Sequence, residues 1–123
     1  MTAPLETLVH GIAEVIEDAE VSYCATFTSV NARGDEVWVQ VVGRSINAQY
    51  PFEVEPMAQL RALGVRDRPA LELITWQAAS YVTLDAPNAS ARDLAFVVNE
   101  LFVKVLGCLD GQYELAVTIE SHG

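Results

Sequence analysis

Residues 21–52 read VSYCATFTSVNARGDEVWVQVVGRSINAQYPF, and their two-residue rhythm decides the fold. Tyr23, Ala25 and Phe27 alternate with Cys24, Thr26 and Thr28, the spacing of a half-buried strand. Asn31-Ala-Arg-Gly34 is a turn sequence with glycine where a positive φ is wanted. Val37, Val39 and Val41 then alternate with Trp38, Gln40 and Val42. After a second turn at Gly43-Arg44-Ser45, Ile46, Ala48, Tyr50 and Phe52 alternate with Asn47 and Gln49. Three strands joined by short turns predict an antiparallel meander with one apolar face.

That face needs a cover, and the flanking sequence supplies it. On the N-terminal side, Leu5, Leu8, Val9, Ile12, Val15 and Ile16 form a helical stripe, with Glu6, His10, Glu14, Glu17 and Asp18 opposite. Thr2 is placed as its N-cap and Pro4 in its first turn. On the C-terminal side Pro51 and Pro56 close the meander, and Glu55-Pro56-Met57 opens a short helix. It runs through Leu60 and Leu63 and is stopped by Gly64. A charged linker, Val65 to Pro69, leads to two extended runs, Leu71–Trp76 and Tyr81–Leu84. Ser90-Ala-Arg-Asp93 has the form of a capping box. The stripe Leu94, Val97, Val98, Leu101, Phe102, Val105 comes next and stops at Gly107. Leu115, Val117 and Ile119 alternate as a last strand. Strands grouped together and packed by N- and C-terminal helices predict an α+β domain rather than a parallel α/β sheet. Its 123 residues are expected to form one domain, large enough to stand without disulfide or metal.

Seventeen acidic residues against seven basic ones give a formal charge of −10 on a chain that is 51% hydrophobic. Such charge repels phosphate backbones and anionic lipid heads, so neither nucleic acid nor a membrane is expected as partner. The apolar fraction is that of a folding chain, not of an acidic disordered tail. No run reaches the ~18 apolar residues of a membrane span. The start is not that of a secretory signal, so a cytoplasmic location is expected. Cys24 and Cys108 are read as free, buried thiols.

Catalysis finds little support. The two histidines, His10 and His122, have no neighbours at metal-ligand spacing, so no metal or cofactor is expected. Cys24 with His10 is the nucleophile–base pair worth naming, and carboxylates such as Glu53 with Glu55 or Glu17 with Asp18 have the composition of an acid–base pair. Solvated carboxylates and a structural thiol explain the same residues more simply. Binding has more. On the strand face away from the helices, Thr26, Thr28, Gln40, Asn47 and Gln49 are small or polar, and Trp38 interrupts them. An outward tryptophan among polar side chains has the composition of a contact surface. The alternative is that Trp38 is covered by the later run around Trp76. Pro51 to Pro56 is either a simple exit from the sheet or part of an edge that accepts an extended peptide.

Met57-Ala-Gln-Leu-Arg-Ala-Leu-Gly-Val-Arg66 resembles the short-helix segment of the TY-Chap family. These are actinobacterial chaperone-like domains grouped with type III secretion chaperones and YbjN-like proteins. The stretch from Leu94 to Gly107, Tyr113 to Val117, and the order of elements are similar to the same family. Val65 stands where the family usually has tryptophan. The resemblance implies a type III secretion chaperone-like, YbjN-like fold and a non-enzymatic module that holds a segment of a client protein on an apolar sheet surface. It also implies a homodimer, and no catalytic residues. Trp38, Gln40 and Trp76 are the expected partner-binding residues. The alternative function is an acidic inhibitor or immunity-type protein that blocks a basic site on its partner.

Overall fold

The computed structural model describes residues 4–16, 23–65 and 70–121. The expected cap Thr2, the pair Glu17 and Asp18, the start of the first strand at Val21, residues 66–69 of the linker and His122 lie outside them. The elements run in the order α1 (Pro4–Ile16), β1 (Tyr23–Val30), β2 (Glu36–Val42), β3 (Ser45–Gln49), α2 (Pro56–Ala62), β4 (Glu72–Gln77), β5 (Tyr81–Asp85), α3 (Ala91–Glu100) and β6 (Ala116–Ser121). A π-helical extension, Leu101–Val105, continues α3. The α+β reading and the central meander are borne out.

The six strands are ordered β4-β5-β3-β2-β1-β6, and every neighbouring pair is antiparallel. The meander occupies the middle. The β4–β5 hairpin extends it beyond β3, and β6 extends it beyond β1. Phe27, Val39, Val41, Ile46 and Leu84 are fully buried on one face, where α1 lies over β1, β2 and β6 and packs against α3. Each such side chain contributes about 1.5–3 kcal/mol on leaving water. Gly11 lets α1 approach the sheet: a Cβ there would come within 2.9 Å of the Phe27 ring.

Local chemistry sets the helix ends. Glu55 accepts from the Met57 and Ala58 amides, both at 2.9 Å, ahead of Pro56 in the first turn of α2. Those two bonds hold its carboxyl below the usual carboxylate value. Gly64 ends α2 at φ 82°. Ser90 Oγ accepts from the Asp93 amide at 3.1 Å while Asp93 accepts from the Ser90 amide at 3.3 Å, the capping box expected of that sequence.

The far end of α3 departs from simple helical spacing. The Leu106 amide donates to Leu101 O rather than to Phe102 O, and the Cys108 amide takes Phe102 O instead. Beyond the π-helical extension Leu106 and Cys108 are buried, while Leu109 is 56% exposed. Lys104 Nζ donates to Gly64 O at 2.7 Å, tying the end of α2 to this extension.

The buried Asn31 joins this helix exit to the first hairpin. Its Nδ2 donates to Leu106 O at 2.9 Å, and its Oδ1 accepts from the Arg33 and Asp35 amides at 3.0 and 2.9 Å. The Ala32 amide adds a bond to Gly107 O at 3.0 Å.

Candidate functional site

The helices pack on one face of the sheet, and among the described residues no helix covers the other. Strand pairing arranges that open face in rows running across the strands. The middle row is Thr118, Thr26, Gln40, Asn47, Thr83 and Thr75, one residue from each strand. Thr83 Oγ1 donates to Asn47 Oδ1 at 3.1 Å, Asn47 Nδ2 to Gln40 Oε1 at 3.3 Å, and Gln40 Nε2 to Thr26 Oγ1 at 3.3 Å. On one side of it, Thr28 pairs with Ala116 and with Trp38, and Gln49 pairs with Tyr81. Gln49 Oε1 accepts from the Trp38 backbone amide at 2.9 Å, linking the two halves of that row. On the other side stand Glu120, Cys24, Val42, Ser45, Asp85 and Glu72, where Ser45 Oγ donates to Asp85. None of the three rows contains lysine or arginine.

Trp38 and Gln40 therefore share the open face, and both are partly exposed. Trp76 does not join them. Strand β4 carries a bulge between Leu73 and Thr75, which turns Ile74 out to 53% exposure and brings Trp76 into line with the buried Val82. Its ring meets that of Tyr50 edge-on, with centroids 6.0 Å apart, on the helix side of the sheet. It neither covers Trp38 nor adds to the open face. Tyr81, Thr83 and Asp85 complete that face instead. Their alternation with Val82 and Leu84 is present in the sequence, but their partner strand is not.

Cys24 faces the open side while His10 lies exposed on α1, which packs on the opposite side, so the sheet separates that pair. Glu55 is engaged in capping α2. Among the described residues no group of three or more His, Cys, Asp or Glu side chains is placed to hold a metal ion. Cys24 and Cys108 are both free and buried.

The segment from Cys108 to Leu115 folds back beside β1. Tyr113 stacks at a tilt on Phe102, centroids 5.3 Å apart, and donates to Asn99 Oδ1 at 2.6 Å. Burial pushes the Tyr113 hydroxyl and the Cys108 thiol above their usual values. Between this segment and the end of β1 lies a groove of about 590 Å3.

Comparison with protein families, curated proteins and solved structures gives no match for this chain. Among the described residues no helix is long and apolar enough to cross a membrane.

Proposed function

We propose that this protein is a non-enzymatic protein-binding module of secretion-chaperone type, which holds a segment of a client protein against its sheet. The observation that carries the reading is the uncovered face, with Trp38 set among hydroxyl and amide side chains across all six strands. Amides and hydroxyls there are already paired with one another, so a client displaces little bound water, while the Trp38 ring offers rigid apolar area. The order of helix, three strands, short helix, two strands and long helix is the support for a chaperone-like fold of the type III secretion and YbjN-like kind.

The test is capture of partners from the cell of origin by the tagged chain, beside its Trp38→Ala and Gln40→Ala variants. A dominant partner that survives high salt and is lost with Trp38→Ala is expected. Capture unaffected by both substitutions refutes the reading.

A second reading, the acidic inhibitor, is favoured by the row holding Glu120, Asp85 and Glu72, which itself contains no lysine or arginine. A partner bound through those carboxylates would be released as salt rises through the range where the screening length drops below ~10 Å. For the homodimer, the support is the edge of β6, where Val117 and Ile119 are 38% and 36% exposed. Two chains each carrying −10 would associate more strongly at high salt, which light scattering measures.

A further inference from the structure

Strand β6 ends the sheet on the β1 side, and its outer edge has no partner among the described residues. Ala116 through Glu120 are all exposed, so the outward amides and carbonyls of the strand meet water. The opposite edge is blunted, because the bulge between Leu73 and Thr75 breaks the line of β4. Strand β6 carries no such device. It keeps an unbroken register with β1 from Ser121 to Ala116 and contains neither proline nor lysine. Chains that stay apart protect their edges by these means, so a plain, straight edge reads as a pairing surface.

Symmetry and charge name the occupant. Two identical strands joined edge to edge in antiparallel fashion are related by a two-fold axis normal to the sheet. Residues directly opposite then share a face, and because successive side chains alternate, the axis must pass through a residue of β6. An axis at Thr118 overlaps residues 116–120 of both strands, and one at Ile119 overlaps residues 117–121; any other shortens the pairing. Glu120, the one charged residue in the strand, decides between them. About Ile119 the two Glu120 residues are offset by two positions, roughly 7 Å along the strands. About Thr118 the offset is four positions, roughly 14 Å, beyond the ~8 Å screening length of physiological salt. About Val117 each Glu120 would face Glu114 of the other copy. The Thr118 axis sets Val117 against Ile119 twice and threonine against threonine once, pairs that sheets favour. Read in either direction from Thr118, the next residue is β-branched, which is what self-pairing requires.

We infer that β6 pairs with β6 of a second copy of this chain about Thr118, joining the two sheets into one. The row from Thr75 to Thr118 then meets its own copy at Thr118. The uncovered face runs without a break from one chain to the other, and both Trp38 rings lie on it. The helices of the two copies stay together on the opposite side. The inference deepens the proposed function by giving the homodimer its surface and register. It rests on that reading only for the use made of the joined face.

The experiment follows the full chain by sedimentation and light scattering over a concentration series at low and high salt. A dimer that tightens severalfold as salt rises is expected, since salt screens the charge that the two chains share. Thr118→Lys sets two ammonium groups directly opposite one another and is expected to leave a monomer, although it reduces the net negative charge. Thr118→Cys is expected to give a covalent dimer on mild oxidation, the native thiols being buried, and Thr75→Cys at the opposite edge is not. A chain that is monomeric at every concentration and salt overturns the inference and the homodimer, and leaves client capture through Trp38 standing. A dimer that tolerates Thr118→Lys, or covalent dimers formed as readily by Thr75→Cys, overturns the inference and leaves the homodimer on another surface. A monomer that loses client capture with Thr118→Lys gives the edge to a client strand, which overturns the inference and keeps the proposed function.

Discussion

Replacing Asn31 with alanine removes three side-chain hydrogen bonds at once, and they are not equal. The two accepted from the Arg33 and Asp35 amides lie in an exposed turn, where water replaces them and each loss costs about 0.5–1 kcal/mol. The third, donated to Leu106 O, serves a residue only 4% exposed. Losing it costs the bond and also leaves a buried carbonyl short of a donor, about 1–3 kcal/mol. Asn31→Ala is therefore expected to lower unfolding stability by about 3 kcal/mol, a large share of the ~5–15 kcal/mol typical of a whole domain. Asn31→Asp separates the contributions. It keeps both amide contacts and turns an acceptor toward an acceptor at Leu106 O, so it should be nearly as damaging. Urea titration measures the loss. Amide hydrogen exchange locates it, because the Ala32 amide bonded to Gly107 O should exchange faster while those of β2 and β3 keep their rank. A loss below ~1 kcal/mol for Asn31→Ala, or an Asn31→Asp variant of full stability, would refute the idea that this side chain joins the hairpin to the helix exit.

Gly11→Ala sets helix propensity, which favours alanine by about 1 kcal/mol, against overpacking of about 1–3 kcal/mol on the fully buried Phe27 ring. A net loss is expected, and its recovery on adding Phe27→Leu, read as a coupling in a double-mutant cycle, checks the contact. Ser90→Ala should cost about 1 kcal/mol in thermal or urea unfolding, with Ser90→Asp retaining most of it. Alkaline pH should destabilise the fold. Cys108, Tyr50 and Tyr113 all have raised values in the folded chain, so their contribution is complete below the ordinary values of 9.0 and 10.0. It declines as pH rises past those values, because the unfolded chain ionises first. Urea midpoints at neutral pH and near pH 10 test this, and a midpoint unchanged between them contradicts it.

The central meander was legible because each of its strands buries one face and wets the other, so Val37, Val39 and Val41 announce their side without a partner in view. The capping box at Ser90 was legible for a similar reason, since its bonds are made within four residues. Trp76 was not, because one extra residue in β4 reverses the faces of everything after it, and no residue type between Leu73 and Thr75 signals that. The same holds for the π-helical extension, because the stripe Leu101, Phe102, Val105 reads the same with or without it. The groove at the end of β1 was invisible for another reason. It depends on where β6 stops along β1, which only the completed sheet decides.

The hydrogen bonds from Thr83 through Asn47 and Gln40 to Thr26 all run in one sense, each side chain giving to its neighbour on the β1 side. A chain of this kind has polarity: it begins with the Thr83 hydroxyl as donor and ends at Thr26, whose hydroxyl proton the chain does not use and whose oxygen lies 3.8 Å from the Cys24 sulfur, a contact in which either atom can donate. Its dipoles reinforce one another, and reversing any link requires both amides to flip in concert. A bound carbonyl at the Thr26 end would strengthen the whole series, and a bound donor there would oppose it. The open face thus distinguishes the two directions in which an amide-rich partner could lie across it, although the strands beneath alternate and carry almost no net direction of their own.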